Sequence, residues 1–170
     1  MARQLHSTQC DTALFPNAVD LYKGVISKVD RYDEADKKKF SDFLNSAPVT
    51  TTCLHGDMHI GNVITTGGED LWIDLSDFSY GNPLFDVGMI YVASNVDSEE
   101  FNLEYYHLDN AMMLKVWKVF ACEYFGVGES DLEAVDRMVI PYGVLRTLFF
   151  VSCGSALPNN LAFIDKFLKG

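Results

Sequence analysis

The chain has 170 residues, 48% of them hydrophobic and 13% aromatic, which is enough apolar mass for one packed domain and too much for a disordered chain. Its 13 Lys and Arg against 24 Asp and Glu leave a formal net charge of −11, which disfavours phosphate backbones and anionic lipid, so neither nucleic acid nor a membrane surface is an expected partner. Four scattered cysteines, Cys10, Cys53, Cys122 and Cys153, form no CxxC pair, which excludes a disulfide scaffold and a zinc ribbon.

The chain opens Met1-Ala2-Arg3-Gln4-Leu5-His6 without an apolar targeting region. No stretch approaches the roughly 20 apolar residues of a membrane helix. With free thiols, these features set the expectation of a cytoplasmic protein. Val19, Tyr22, Val25, Ile26 and Val29 recur at helical spacing and predict a helix over 17–30. A second helix is expected from Asp33 to Leu44, ending before Pro48 because a proline pushes its predecessor out of the helical region. The lysines 37–39 lie among acidic residues and read as its solvated face.

Three short β-rich runs follow, Val49–Leu54, Asn62–Thr66 and Leu71–Leu75, with Gly67-Gly68 as a hairpin turn between the last two. From Asn82-Pro83, an N-cap and a first-turn proline, the chain becomes helical. Helices are expected from Pro83, over Leu108–Phe125 up to Gly126, from a Ser130/Glu133 capping box to Val151 with a kink at Pro141, and over Asn160–Leu168. The fold class is therefore mainly α with a small β-hairpin element (α+β), in a single domain over 1–170.

The chemistry concentrates in Leu54-His55-Gly56-Asp57-Met58-His59-Ile60-Gly61-Asn62, followed by Ile73-Asp74-Leu75-Ser76-Asp77 and by Gly81-Asn82-Pro83-Leu84-Phe85-Asp86. The first segment fits H-x-D-Φ-x-x-x-N, the catalytic-loop pattern of kinases. Phosphoryl transfer asks a protein for position and charge neutralisation. One carboxylate must face the acceptor hydroxyl, an amide oxygen must hold magnesium, and a second carboxylate must bridge that metal to the phosphates. Asp57, Asn62 and Asp74 occupy these places, and the hairpin between 62 and 74 is what returns the third beside the first two. A metal hydrolase built on His55, Asp57 and His59 is the rival, weakened because only His6 and His107 remain and neither sits in a ligand-like pair.

The same residues resemble the aminoglycoside phosphotransferases and their relatives, the choline and ethanolamine kinases, which share the protein-kinase-like fold. The match comprises His55-Gly56-Asp57, Gly61-Asn62, Ile73-Asp74, Asn82-Pro83 and Asp86, with Leu5-His6 similar to the segment after the family's interlobe hinge. The resemblance implies that Asp57 is the catalytic base. It implies that Asn62 and Asp74 are the magnesium ligands that bind ATP through the metal. His59 falls where protein kinases carry a phosphate-contacting lysine and where the family often has histidine, so a phosphate contact in catalysis is one reading and loop surface the other. His55 and Asp86 are expected to orient and brace the loop, and Asp77 to support the site or simply end a strand. Trp117, Tyr105, Tyr106 and Phe120 either line a cation pocket or pack the core, and their helical spacing favours the core.

The resemblance covers only the family's C-terminal lobe. No G-x-G-x-x-G and no strand with a V-A-I-K-like lysine occurs, so the N-terminal nucleotide-binding lobe is absent from these 170 residues. Either coding sequence continues upstream of Met1 or the protein is a natural one-lobed form; the intact Asp57, Asn62 and Asp74 favour the former. Two functions fit these residues. One is an ATP- and Mg-dependent phosphotransferase for a small-molecule hydroxyl (aminoglycoside, choline, another amino-alcohol or a sugar), inactive as this lobe alone. The other is a non-catalytic kinase-lobe binding or scaffold module. Acidity tilts the acceptor toward a cation, and an exposed lobe face is expected to drive homo-oligomerisation.

Overall fold

The computed structural model describes residues 1–170. The eight helices are α1 (Ala2–His6), α2 (Ala18–Lys28), α3 (Glu34–Ser46), α4 (Leu84–Asn95), α5 (Glu99–Tyr105), α6 (Asn110–Phe125), α7 (Leu132–Ser152) and α8 (Pro158–Lys169). Four short strands, β1 (Cys53–Leu54), β2 (Val63–Thr66), β3 (Glu69–Trp72) and β4 (Ser79–Tyr80), lie between α3 and α4. The fold is mainly α with a small β element, the class read from the sequence.

Local chemistry sets most boundaries. Asn17 Oδ1 accepts from the Val19 N–H at the start of α2, and Asp33 Oδ1 from the Asp36 N–H at the start of α3. Each satisfies a helix-end donor that otherwise lacks a partner. Helix α3 stops where Ala47, ahead of Pro48, turns extended. Helix α6 closes on Gly126 at φ 67°, a left-handed cap that glycine adopts without penalty. Gly67 and Gly68, at φ 60° and 84°, form the two-residue turn that pairs Thr66 with Glu69 in the β2–β3 hairpin.

Four expectations differ from the structure. The run Val49–Leu54 is a strand only over Cys53–Leu54, because its partner is the two-residue β4, paired Cys53 with Tyr80 and Leu54 with Ser79. The hydroxyls of Thr50 and Thr52 instead bind the Gly81 carbonyl, at 2.6 and 2.9 Å. The third run ends at Trp72, since Asp74 leaves the extended region at φ 57°. The Ser130/Glu133 capping box does not form: residues 129–131 make a 3₁₀ turn, α7 begins at Leu132, and Glu133 pairs with Arg137. Helix α5 was not anticipated; Ser98 Oγ caps it by accepting from the Phe101 N–H. Helix α7 is continuous, with Pro141 inside it.

Helices α4 and α7 pack most closely, through glycine. A Cβ on Gly88 would sit 2.7 Å from the Gly143 backbone nitrogen, so this crossing tolerates no side chain on that face of α4. Around it, Tyr22, Phe40, Leu44, Leu145 and Leu148 form the main core. A second cluster takes in Met58, Val87, Trp117 and Val139, with Phe120 packed against it. Met58 is fully buried there, which anchors the middle of the motif-bearing loop in the helical core. Trp117 is a core residue that donates from Nε1 to Asp136 at 2.9 Å, and Phe120 is partly buried against the same cluster, whereas Tyr105 is 64% exposed. No helix is long and apolar enough to cross a membrane.

Candidate phosphotransfer site

The loop 55–62 is held from below by one carboxylate. Asp86, in the first turn of α4, is fully buried and accepts from the His55 N–H at 2.7 Å and the Gly56 N–H at 2.8 Å. His6 Nε2 lies 3.0 Å from the same carboxylate and His6 Nδ1 2.6 Å from the Tyr124 hydroxyl. The carboxylate therefore joins α1, the loop and α4 at one point. Gly56, at φ 88°, passes so close to the Asp77 carbonyl that a Cβ would stand 2.0 Å from it. This contact fixes the loop against the segment 76–78.

His55 ties the two halves of the motif together. Its ring is fully buried, with Nε2 3.0 Å from the Ile73 carbonyl and Nδ1 accepting the Asp57 N–H at 3.3 Å. These partners place the ring proton on Nε2 and engage both ring nitrogens, which ties the loop to Ile73. Trp72 covers the ring edge-on, with centroids 5.1 Å apart.

Asp57 and Asn62 are in contact. Asn62 Nδ2 donates to the Asp57 carbonyl at 2.9 Å and lies 3.4 Å from Asp57 Oδ2. The amide nitrogen thus faces Asp57, and Oδ1 is turned away from it. The hairpin brings Asp74 round, since the Ile73 N–H donates to the Asn62 carbonyl at 3.0 Å. Asp74 is exposed, accepts from Ser76 Oγ at 2.9 Å and holds the left-handed φ noted above. A non-glycine residue in that region costs roughly 1–2 kcal/mol, less for aspartate, and such strain concentrates at functional sites. The Asn62 amide oxygen with the exposed Asp74 carboxylate makes a hard-oxygen donor pair on two segments joined by the Ile73–Asn62 hydrogen bond. It suits a magnesium ion that keeps waters and takes its remaining ligands from phosphate. The residues present therefore fit a divalent cation.

Arg146, in the most apolar part of α7, completes the site and was not singled out from the sequence. Its Nη2 donates to Asp57 Oδ1 at 2.7 Å and its Nη1 to Asp77 Oδ2 at 3.2 Å. The available signal was the lone charge within Val139–Val151, because a buried guanidinium requires carboxylate partners. His59 Nε2 is 3.5 Å from Asp57 Oδ2. Burial alone would raise the Asp57 carboxyl; the His59 imidazole and the Arg146 guanidinium outweigh it and hold the pKa at about 2.

On the far side of His59 stand two further groups. The Tyr106 ring meets the His59 ring edge-on at 5.3 Å, and burial with nearby Asp97 and Asp57 keeps its hydroxyl protonated. Asp97, past the end of α4, is buried and accepts from Asn160 Nδ2 at 3.0 Å. Burial pushes its carboxyl up to about 6, against the pull of Asn160 and His59. A carboxyl raised on folding stabilises the protein only while it stays protonated. Stability should therefore fall as pH rises from about 4 to about 6, by roughly 2 kcal/mol, and level off above that. Asp97→Asn is expected to flatten this slope and to raise the melting temperature at pH 7.5. Thermal unfolding between pH 4.5 and 7.5 checks both.

Beside the loop, a cleft of 480 Å³ opens between α2, the segment 76–79 and the end of α7. Tyr22, Leu54, Phe78 and Phe149 give it apolar walls, and Gly56, Asp77 and Arg146, the neighbours of Asp57, line it as well. Its size is that of a small-molecule pocket.

A helical lobe with a buried brace under an Asp57–Asn62–Asp74 loop defines a phosphotransferase-type protein, and comparison with known families agrees. The model of the phosphotransferase enzyme family (APH) matches residues 13–121, and the chain belongs to that family. No curated protein matches the chain. Among solved structures the chain is similar to an amicoumacin kinase in complex with AMP-PNP, Ca2+ and Ami. The identity is 14% and the TM-score 0.44, over 99% of this chain and 54% of that one. The chain thus spans about half the length of that protein.

Proposed function

We propose that this chain is the catalytic, C-terminal lobe of an ATP- and magnesium-dependent kinase that phosphorylates a hydroxyl of a small molecule. The observation that carries this reading is the arrangement of Asp57. Its carboxylate is ionised, clamped by Arg146, in contact with Asn62 and one hairpin away from Asp74, beside a cleft of 480 Å³. Membership of the phosphotransferase family supports the reaction class.

In this reading the acceptor lies in the cleft and its hydroxyl donates a hydrogen bond to Asp57. The hydroxyl oxygen bonds to the γ-phosphorus of ATP, the bond to the bridging β–γ oxygen breaks, ADP leaves, and the proton passes to Asp57. A carboxylate with a pKa near 2 is a weak base. Its main contribution is therefore orientation, with proton uptake late, as suits the loose transition state of phosphoryl transfer. Asn62 Oδ1 and Asp74 would hold the magnesium ion, which neutralises phosphate charge when bound. His55 keeps these residues in register, and Asp86 keeps the loop from moving as charge develops.

In this reading a separate nucleotide-binding lobe supplies the glycine-rich cover and the lysine for the nucleotide phosphates; the two pairs of strands here, β1–β4 and β2–β3, carry neither. Ile64, Leu71, Ile73 and Leu75 expose apolar surface around the hairpin, which such a lobe, or a second copy, would cover. The charged residues lining the cleft, Asp20, Asp77, Lys28 and Arg146, balance in sign. Apolar walls with balanced charge suit an acceptor with an apolar body, and a preference for a cation rests on the net charge alone.

The test is acceptor-dependent ADP release by the full-length polypeptide with ATP and magnesium, across a panel of amino-alcohols, aminoglycosides, sugars and apolar alcohols. Release stimulated by at least one acceptor is expected. No stimulation by any member contradicts the reading.

A further inference from the structure

Arg146 is more deeply buried than either of its partners: its side chain is 6% exposed, against 25% for Asp57 and 35% for Asp77. The guanidinium carbon lies 4.5 Å from the Phe149 ring centroid and 5.0 Å from that of Phe150. Two nitrogens of its fork reach two different carboxylates, and Nε is buried with no hydrogen-bond partner. A group so confined has little freedom, whereas an aspartate with a quarter of its side chain in solvent has several accessible rotamers. The arginine is the fixed point, and the carboxylates are hung on it.

We propose that Arg146 is the positioning residue of Asp57, holding Oδ1 so that Oδ2 alone is presented to the acceptor hydroxyl. Oδ1 is engaged at 2.7 Å, while Oδ2 has only the longer approaches of Asn62 at 3.4 Å and His59 at 3.5 Å. Oδ2 is therefore the oxygen with capacity for a further hydrogen bond. Asp77 holds the other half of the fork and stops the guanidinium from rotating about its long axis. Lysine does not replace this arrangement, because a single ammonium lacks the planar fork that spans two carboxylates. The inference rests on the phosphotransferase reading for its kinetic consequences and on the geometry alone for its structural one.

The competing role is a purely structural one, in which Arg146 only balances the charge of Asp77. Arg146→Met, Asp77→Asn and the double variant separate the two in the full-length polypeptide. A displaced catalytic group typically costs about 10²-fold in rate. Arg146→Met should therefore lower kcat about 100-fold with the acceptor KM within about threefold, Asp77→Asn should lower kcat less, and the double variant should not recover. Retention of kcat within about threefold by Arg146→Met, or recovery in the double variant, overturns the proposal. If Arg146→Met does not fold, Arg146→Lys is judged by the same kcat and KM criteria.

A crystal structure of the substituted protein gives a readout free of activity. Asp57 should leave its rotamer, and an unmoved Asp57 carboxylate overturns the positioning role. If the wild-type protein transfers phosphate to no acceptor, the proposed function fails, while this crystallographic arm still decides the role of Arg146.

Discussion

Asp57→Asn should lower phosphotransfer by about 10³-fold or more, at the strong end of the effect of removing a positioned general base. The substitution preserves volume but replaces the ionised oxygen that faces Arg146 at 2.7 Å with an amide. It removes both proton acceptor and clamp, so the loss falls on kcat. Nucleotide affinity should stay within a few-fold, because phosphate contact is assigned to other residues. Coupled ADP release and nucleotide titration measure the two quantities, and kcat within tenfold of wild type would contradict the role. The pH profile adds a second check. With its pKa near 2, Asp57 is ionised throughout the neutral range, so an acid limb in kcat/KM between pH 5 and 8 must come from another group. The ion pair stabilises the fold above about pH 4, and that contribution is lost as pH falls through about 2.

The second large effect is on stability. Asp86→Ala should destabilise the protein by about 3–5 kcal/mol, the usual cost of breaking a buried charged network by removing one partner. The Asp86 carboxylate is fully buried and serves the backbone N–H groups of His55 and Gly56 together with His6. Alanine leaves these groups buried and unpaired. For a chain of this size the melting temperature should fall by roughly 10 °C. Asp86→Asn should fall between alanine and wild type, because it keeps one accepting oxygen and sets an amide nitrogen against a donor. Differential scanning calorimetry measures both, and a fall of under about 2 °C for Asp86→Ala would show that the brace contributes little.

What the sequence made legible was what sits close in the chain. Asp57 and Asn62 are five residues apart on one loop, and Gly67-Gly68 announces the turn of the hairpin that leads to Asp74, so their nearness was readable from spacing. Helix α2 was readable from the helical spacing of Val19, Tyr22, Val25, Ile26 and Val29, the end of α3 from Pro48, and the end of α6 from Gly126. Arg146 was hidden because its partners lie 69 and 89 residues away, and nothing in an apolar helix says which carboxylates a lone arginine will meet. The pairing of Asp97 with Asn160 was hidden for the same reason. Strand β4 escaped because two residues carry no periodicity. The Ser130/Glu133 pattern misled because a capping box needs the helix to start at the serine's next residue, and here a 3₁₀ turn intervenes.

In the proposed reaction the phosphoryl group passes to an alcohol and not to water. Phosphorus NMR of the full-length polypeptide with ATP, magnesium and the best acceptor of the panel tests it directly. A new phosphomonoester resonance is expected to grow in equal amount with ADP, and to be absent with the Asp57→Asn protein. ADP accompanied only by inorganic phosphate, or a phosphomonoester formed equally fast by Asp57→Asn, would contradict it.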